Sequence, residues 1–81
     1  MTLYHFNLLK GPEQWQALWE RGIHIGERFS QGHHVLLYQV EGFYVEVYYN
    51  MDNNSLHRLR SFKSTDQLTP YLRKISIVEL L

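Results

Sequence analysis

The sequence predicts an α+β fold, in which a four-stranded antiparallel meander is flanked in sequence by two helices packed on one face of the sheet. Three observations favour this fold. Apolar residues follow helical spacing over residues 12–21, alternate with a period of two over residues 23–62, and return to helical spacing from residue 68. The chain has 81 residues and no linker-like tract, so we predict one small domain over residues 1–81.

The N-terminal part contains a weakly patterned segment and then a clear helix. Residues 2–9 alternate weakly between apolar and polar side chains, which predicts either an extra N-terminal strand or an extended arm. A helix is predicted over residues 12–21, because Gly11-Pro12 is a start signal and Gly22 suits the C-terminal end. Its apolar face carries three large side chains at i, i+3 and i+4: Trp15, Leu18 and Trp19.

The central part of the chain is predicted to be the meander. Three turn signals divide it into four strands: Gln31-Gly32, Glu41-Gly42 and Asp52-Asn53-Asn54. Short turns require neighbouring strands to be antiparallel. The central register stays open at this point. A two-residue turn pairs Val40 with Phe43, whereas a three-residue loop with a bulge at Gly42 shifts the pairing by one residue.

A second helix is predicted after the sheet. Ser64 or Thr65 suits its N-cap, and apolar residues recur at helical spacing in Leu68, Tyr71, Leu72 and Ile75. Pro70 lies inside this pattern, so we expect a short or kinked helix. Residues 75–81 are apolar enough to dock as a last strand or turn. The expected core contains Trp15, Leu18, Trp19, Ile23, Ile25, Phe43, Val45, Val47, Leu59, Leu68 and Leu72.

Two helices on one face leave the other face of the sheet uncovered. Tyr44, Glu46 and Tyr48 alternate with the apolar residues of their strand and therefore lie on that other face. The strand over residues 33–40 is apolar on both sides, so either register adds apolar residues to the same face. A contiguous aromatic face indicates a protein contact, unless the tail and the N-terminal arm cross and bury it. The interface candidates are Tyr38, Tyr44, Glu46, Tyr48, Arg58 and Arg60. Within this set, we expect Glu46 to form a cross-strand pair with Arg58 or Arg60.

The residues that carry enzyme chemistry do not form a recognisable set. Cysteine is absent, which excludes a disulfide scaffold, a thiolate zinc site and a cysteine nucleophile. The five histidines lack metal-ligand spacing, and neither a glycine-rich phosphate loop nor a nucleophile elbow occurs. We therefore assign no catalytic residue, metal or cofactor, and we favour a non-enzymatic protein without excluding an enzyme.

Glu27 is the candidate for a buried carboxylate. If Ile23, Ile25 and Phe29 face the core, the period of two directs Glu27 inward as well. A carboxylate buried without a partner is unfavourable and has a raised pKa, so such a residue attracts a functional interpretation. The alternative is that Glu27 reaches solvent near the strand end, or that a bulge at Gly26 turns it outward.

The charge balance limits the partners that we expect. Eight basic and eight acidic residues give a net charge of zero, so no general field attracts a polyanion. Single-stranded nucleic-acid binding through Tyr44, Tyr48, Arg58 and Arg60 stays an alternative. A small-ligand binder or enzyme with its site at a dimer interface is another. No apolar run approaches the length of a membrane span and no signal peptide is visible, so we expect a cytoplasmic protein without a membrane partner.

Three short motifs resemble a family of short uncharacterised bacterial proteins. These motifs are the GFYVE strand at residues 42–46, the RSF strand at residues 60–62 and the LxPYL helix at residues 68–72. The resemblance extends to an aromatic N-terminal arm and a tryptophan-bearing helix, and so spans nearly the whole chain. It implies a shared outline but no activity, cofactor or binding residue. The function that we expect from the residues is homodimerisation or protein–protein interaction through the aromatic sheet face.

Overall fold

The computed structural model describes residues 1–72 of the chain. The elements that follow one another over these residues are α1 (Leu3–Leu8), α2 (Gly11–Arg21), β1 (Ile23–Ser30), β2 (His33–Val40), β3 (Phe43–Asn50), β4 (Leu56–Phe62) and the 3-10 turn Thr65–Leu68. Residues 69–72, directly after this turn, are helical as well. The strands form one antiparallel sheet in the order β1-β2-β3-β4. The predicted α+β class and the meander are confirmed. Within the same residues, no helix is long and apolar enough to cross a membrane.

The N-terminal segment is a helix, so the prediction of a strand or extended arm over residues 2–9 is wrong. Thr2 caps α1, because its Oγ1 accepts a hydrogen bond of 3.1 Å from the backbone N–H of His5. Phe6 is buried, and its ring centroid lies 5.4 Å from that of Phe43. With only six residues, α1 is too short to show a helical period in the sequence.

The second helix lies where the sequence predicts it, but it buries a different face. The side chains buried from α2 are Ala17 and Leu18, whereas Trp15 and Trp19 are exposed. The helix packs against β2, and its two tryptophans stand along the side of that contact. Gly22 ends the helix at a position where a Cβ atom would lie 2.5 Å from the carbonyl oxygen of Leu18, so only glycine fits there.

The register of the central strands is the one set by a two-residue turn. Val40 pairs with Phe43 and Leu36 pairs with Val47, and Glu41 in the turn adopts a φ of 53°. The sequence left this register open, and the structure excludes the shifted pairing. Two sets of β2 residues therefore point to opposite faces: Leu36, Tyr38 and Val40 on one, Val35 and Leu37 on the other.

Both faces of the sheet carry a hydrophobic core. The helices α1 and α2 cover the first face, which we call the helix face. Its core consists of Phe6, Ala17 and Leu18 from the helices and of Val40, Phe43, Val45 and Val47 from the sheet. Residues 65–72, which we call the crossing segment, cover the second face, which we call the crossing face. Its core consists of Leu37, Phe62 and Tyr71, and Tyr44 and Leu68 pack against them. The prediction that both flanking helices pack on one face is therefore wrong. The physical reason is β2, whose two apolar sides each require cover.

The edge strand β1 also departs from the prediction. Its pairing with β2 shifts between His24 and Gly26, which is a bulge at Ile25. The core positions expected at Ile23, Ile25 and Leu72 are exposed, while Leu59 and Leu68 are partly buried. The predictions for Ile75 and for residues 75–81 lie outside the described residues.

Candidate functional site

A carboxylate is buried at the centre of the crossing face. Glu46 lies in the middle of β3 and is only 1% exposed, because the crossing segment lies over it. A charge in such a place is strongly unfavourable unless ion pairs and hydrogen bonds replace its water. The surroundings of Glu46 therefore decide what this face can do.

Four side chains surround the carboxylate of Glu46 and bond to it. Its Oε2 accepts hydrogen bonds from the hydroxyl of Tyr71 at 2.6 Å and from Nε of Arg28 at 3.2 Å. Its Oε1 accepts from Nη1 of Arg60 at 2.8 Å and from the hydroxyl of Tyr48 at 3.2 Å. Arg28 also donates to the Tyr48 hydroxyl at 3.1 Å. We call these five residues the Glu46 cluster, and it joins β1, β3, β4 and the crossing segment.

The electrostatics of the cluster keep each group in one protonation state. Burial raises the pKa of Glu46, but hydrogen bonds from Tyr71 and Arg60 and the charge of Arg28 outweigh it, so the pKa lies below its ordinary value. Burial and the adjacent carboxylate raise the pKa of Tyr71. At neutral pH the carboxylate is ionised and the phenol is neutral, so the cluster holds no base or acid ready for proton transfer.

The structure separates the two carboxylates that the sequence singled out. Glu27 is at the surface, with its side chain 47% exposed and its Oε2 2.7 Å from Nε2 of His34, so the hypothesis that Glu27 is buried is wrong. The bulge at Ile25 pairs Glu27 with Leu36, toward the helix face but beyond the helices. The buried carboxylate is Glu46, and the cross-strand ion pair expected between Glu46 and an arginine of β4 forms with Arg60.

The six interface candidates lie on two different faces. Tyr48 and Glu46 are buried on the crossing face, and Tyr44 is partly buried and stacks on Phe62 with ring centroids 5.6 Å apart. Arg58 is exposed, and its guanidinium carbon lies 4.3 Å from the ring centroid of Tyr48. Tyr38 lies on the helix face. The centre of the predicted interface is thus covered by the protein's own chain, and Arg58 and Tyr44 remain at its rim.

An aromatic pocket on the helix face was missed by the sequence analysis. Four rings and one aliphatic side chain line a cavity of about 90 Å³: Trp15, Leu18, Trp19, Tyr38 and Tyr49. We call it the tryptophan pocket. Trp19 is 83% exposed, and the ring of His24 lies against Tyr38 with centroids 5.3 Å apart. Burial, with a smaller contribution from Tyr38, raises the pKa of Tyr49, so its phenol stays neutral at physiological pH.

A second group of exposed apolar side chains lies on β1, at the edge of the sheet. Ile23, Ile25 and Phe29 of β1 are exposed, and the Phe29 ring stacks on His34 with centroids 4.5 Å apart. Among residues 1–72, no strand pairs with the outer side of β1. We call the outer backbone of β1, together with these three side chains, the β1 edge surface.

The remaining histidines do not build a metal centre within the described residues. The rings of His33 and His57 lie 4.8 Å apart, but over residues 1–72 no three His, Cys, Asp or Glu side chains converge as a ligand set. The two places that stand out chemically are therefore the tryptophan pocket and the β1 edge surface.

Comparison with known proteins adds no relative. No family model, curated protein or solved structure matches the chain. The molecule is defined by its architecture: an α+β meander with a closed ion cluster on one face and an open aromatic pocket on the other. The resemblance to short bacterial proteins stays a prediction.

Proposed function

We propose that this protein is a non-enzymatic domain that acts by self-association, with β1 of one copy pairing with β1 of a second. The observation that carries the proposal is the β1 edge surface: an unpaired strand edge, within the described residues, that is flanked by exposed apolar side chains. An exposed apolar edge strand is a template for pairing with another chain. This surface replaces the aromatic sheet face that the sequence suggested, because Glu46 and Tyr48 of that face are covered.

A second copy is the partner that fits this edge best. Two identical strands placed antiparallel around a two-fold axis complement each other, since each supplies the donors and acceptors that the other needs. The net charge of zero gives no long-range repulsion between copies. Burying an isoleucine or phenylalanine side chain stabilises by about 1.5–3 kcal/mol, and each copy brings Ile23, Ile25 and Phe29.

The structure gives less support to nucleic-acid binding. Arg28 and Arg60 are held by Glu46, and the ring of Tyr48 is buried beneath Arg58. A stacking platform needs exposed ring faces and free cations along the path of the strand. Of the four residues proposed for that role, Arg58 is the one that is exposed.

Light scattering of the full chain, from about 1 µM to about 1 mM, tests the proposal. We expect a concentration-dependent dimer, and we expect Phe29→Glu or Ile25→Glu to weaken it at least about tenfold, because a charge on the pairing edge loses its water. The matched control is Tyr4→Glu, which alters another exposed apolar residue on α1. Circular dichroism shows whether each variant is folded.

Three results would overturn the proposal, and the first two concern the dimer itself and its control variant. One is a monomer across the whole concentration range. The other is a dimer that Tyr4→Glu weakens as much as Phe29→Glu does, since the contact would then lie elsewhere. A dimer that withstands both β1 variants also places the contact on another surface and rejects the role of β1.

A further inference from the structure

We propose that the tryptophan pocket is a binding site for a small quaternary ammonium compound, of which choline is the simplest probe. This inference goes beyond self-association and does not depend on it. It rests on the composition of the pocket, on its size and on its exposure to solvent.

The pocket is built almost entirely from aromatic rings. Trp15 and Trp19 are one helical turn apart on α2, Tyr38 lies on β2 and Tyr49 on β3, and Leu18 completes the lining. The walls thus come from three separate elements that the core holds in place, since Leu18 is buried and Tyr38 and Tyr49 pack against the helix-face core. No lysine or arginine is among the lining residues.

Aromatic rings that surround a small space attract a particular kind of cation. The faces of indole and phenol rings carry negative electrostatic potential, and they bind cations within about 6 Å of the ring centre. An ordinary ammonium group loses strong hydrogen bonds to water when it enters such a pocket. A quaternary ammonium has no N–H to desolvate and has an apolar surface, so it gains both ring contacts and burial.

The size of the cavity favours a compact group. Its volume of about 90 Å³ is well below the roughly 300–1,000 Å³ of sites that enclose a drug-sized ligand. A trimethylammonium head group suits a space of this size, whereas a nucleoside or another fused ring system does not. The lining has no cation to pair with a phosphate, so a free quaternary ammonium compound fits better than a phosphocholine lipid.

The exposure of Trp19 is the second observation that indicates a ligand. The indole of Trp19 is 83% exposed, so a large apolar surface faces water beside the pocket. By contrast, the aromatic rings of Phe6 and Phe43 are fully buried in the core. A bound cation covers part of that surface. The ring of His24, which lies against Tyr38, stands beside the same wall.

Tryptophan fluorescence reports directly on this site, because both tryptophans of the chain line it. We expect choline to change the emission of the full chain in a saturable way. The matched probe is 3,3-dimethylbutan-1-ol, which has the shape of choline with carbon in place of the charged nitrogen. We expect choline to bind at least about tenfold more tightly than this neutral analogue, since the analogue lacks the cation–π attraction.

Variants show whether the pocket is the site. Trp19→Leu is expected to weaken choline binding at least about tenfold with little change in folding, because the ring is mostly exposed, and Trp15 remains as the reporter. Tyr4→Leu alters an exposed aromatic residue that is not among the lining residues, and it should leave binding unchanged. Phe29→Glu is expected to retain binding, which separates this proposal from the self-association proposal.

Several outcomes would overturn the inference. The absence of a saturable response to choline rejects a binding site. Equal affinity for choline and its neutral analogue shows a hydrophobic pocket without cation recognition. Equal losses in Trp19→Leu and Tyr4→Leu place binding elsewhere. A response to phosphatidylcholine vesicles but not to free choline assigns the pocket to a lipid surface and rejects a small soluble ligand.

Discussion

The two faces of the sheet differ in how they treat the side chains at their centres. On the crossing face, the Glu46 carboxylate is surrounded by four side chains, three from other parts of the chain and one from its own strand. On the helix face, four aromatic rings surround a cavity that stays open. In the first arrangement, each buried polar side-chain atom among the described residues has a hydrogen-bond partner. The second leaves aromatic surface exposed among residues 1–72, and that surface is the basis of the binding that we propose.

The largest expected loss of stability comes from disrupting the Glu46 cluster on the crossing face. Glu46→Gln removes the charge that holds Arg28 and Arg60, and leaves two partly buried cations without a carboxylate. We expect a loss of about 3 kcal/mol of unfolding free energy, near the lower end of the range for a broken buried pair because both arginines are partly exposed. Urea unfolding measures it. The control Glu27→Gln, at an exposed carboxylate, should change stability by less than about 1 kcal/mol, and equal losses would contradict the comparison.

The same carboxyl group sets the acid response of the closed face. In the folded protein, burial raises the pKa of Glu46, but its hydrogen bonds and the charge of Arg28 lower it by more, so the pKa lies below its ordinary value. Its contribution to stability is therefore complete above the ordinary carboxyl pKa and is lost as the pH falls through the lowered value. We expect acid unfolding of the wild type to be steeper than that of Glu46→Gln over this range. Parallel pH curves for the two proteins would show that Glu46 is not the titrating group.

The next largest effect is expected from loss of the hydrogen bond that Tyr71 donates to Glu46. Tyr71→Phe removes a 2.6 Å hydrogen bond to the buried carboxylate while it keeps the ring in the core. Hydrogen bonds to charged groups contribute about 1.5–3 kcal/mol, so we expect a loss of about 2 kcal/mol in urea unfolding. Tyr44→Phe removes a hydroxyl that lies outside the Glu46 cluster, and it is the matched control. If both variants lose the same stability, the crossing segment does not act through Glu46.

A smaller effect is expected where the crossing segment meets the edge strand. A Cβ atom on Gly26 would lie 3.2 Å from the ring of Tyr71, whereas one on Gly42 would meet nothing within 4 Å. We expect Gly26→Ala to destabilise the fold by about 1 kcal/mol through crowding of the ring, and Gly42→Ala to have less effect. Thermal unfolding compares the two. A neutral Gly26→Ala variant would mean that the ring moves aside freely.

The smallest expected loss of stability comes from a substitution in the tryptophan pocket on the helix face. Trp19→Leu removes an indole that contributes little buried area, so we expect a change of no more than about 0.5 kcal/mol in unfolding free energy. A loss near that of Tyr71→Phe would show that Trp19 supports the core, and would remove the contrast between the two faces.

The sequence predicted the strands of the sheet better than it predicted which segments pack on each face of the sheet. Turn chemistry at Gln31-Gly32 and Glu41-Gly42 predicted the four strands and offered the observed register as one of two. The period of two also put Glu46 opposite the apolar residues of its own strand. Periodicity does not say which segment covers a face, however. The two apolar sides of β2 were the available sign that both faces are covered.

The candidate site was predictable only in part, for reasons that are local. Helical spacing grouped Trp15 with Leu18 and Trp19, but a helix that rests on Ala17 and Leu18 turns the tryptophans to its side. Glu27 faces the helix side of the sheet, as the period of two predicted, but neither helix covers β1 at that position, so its side chain is exposed and not buried. A pair between Glu46 and either Arg58 or Arg60 was predicted, because it needs only neighbouring strands, and the register of β3 and β4 selects Arg60.

The two ends of the sheet bear on how large an assembly can grow. The outer strand β4 carries His57, Arg58 and Arg60, its pairing with β3 is irregular at Tyr48, and α1 packs beside it, with Asn7 accepting a hydrogen bond from Ser61. Charged side chains, irregular pairing and a flanking helix each discourage further strand addition. A chain whose sheet extends at one end alone uses up that end in the first encounter. Association through β1 would therefore stop at a closed pair, and the same fold would be protected against the open-ended fibres that two sticky edges produce.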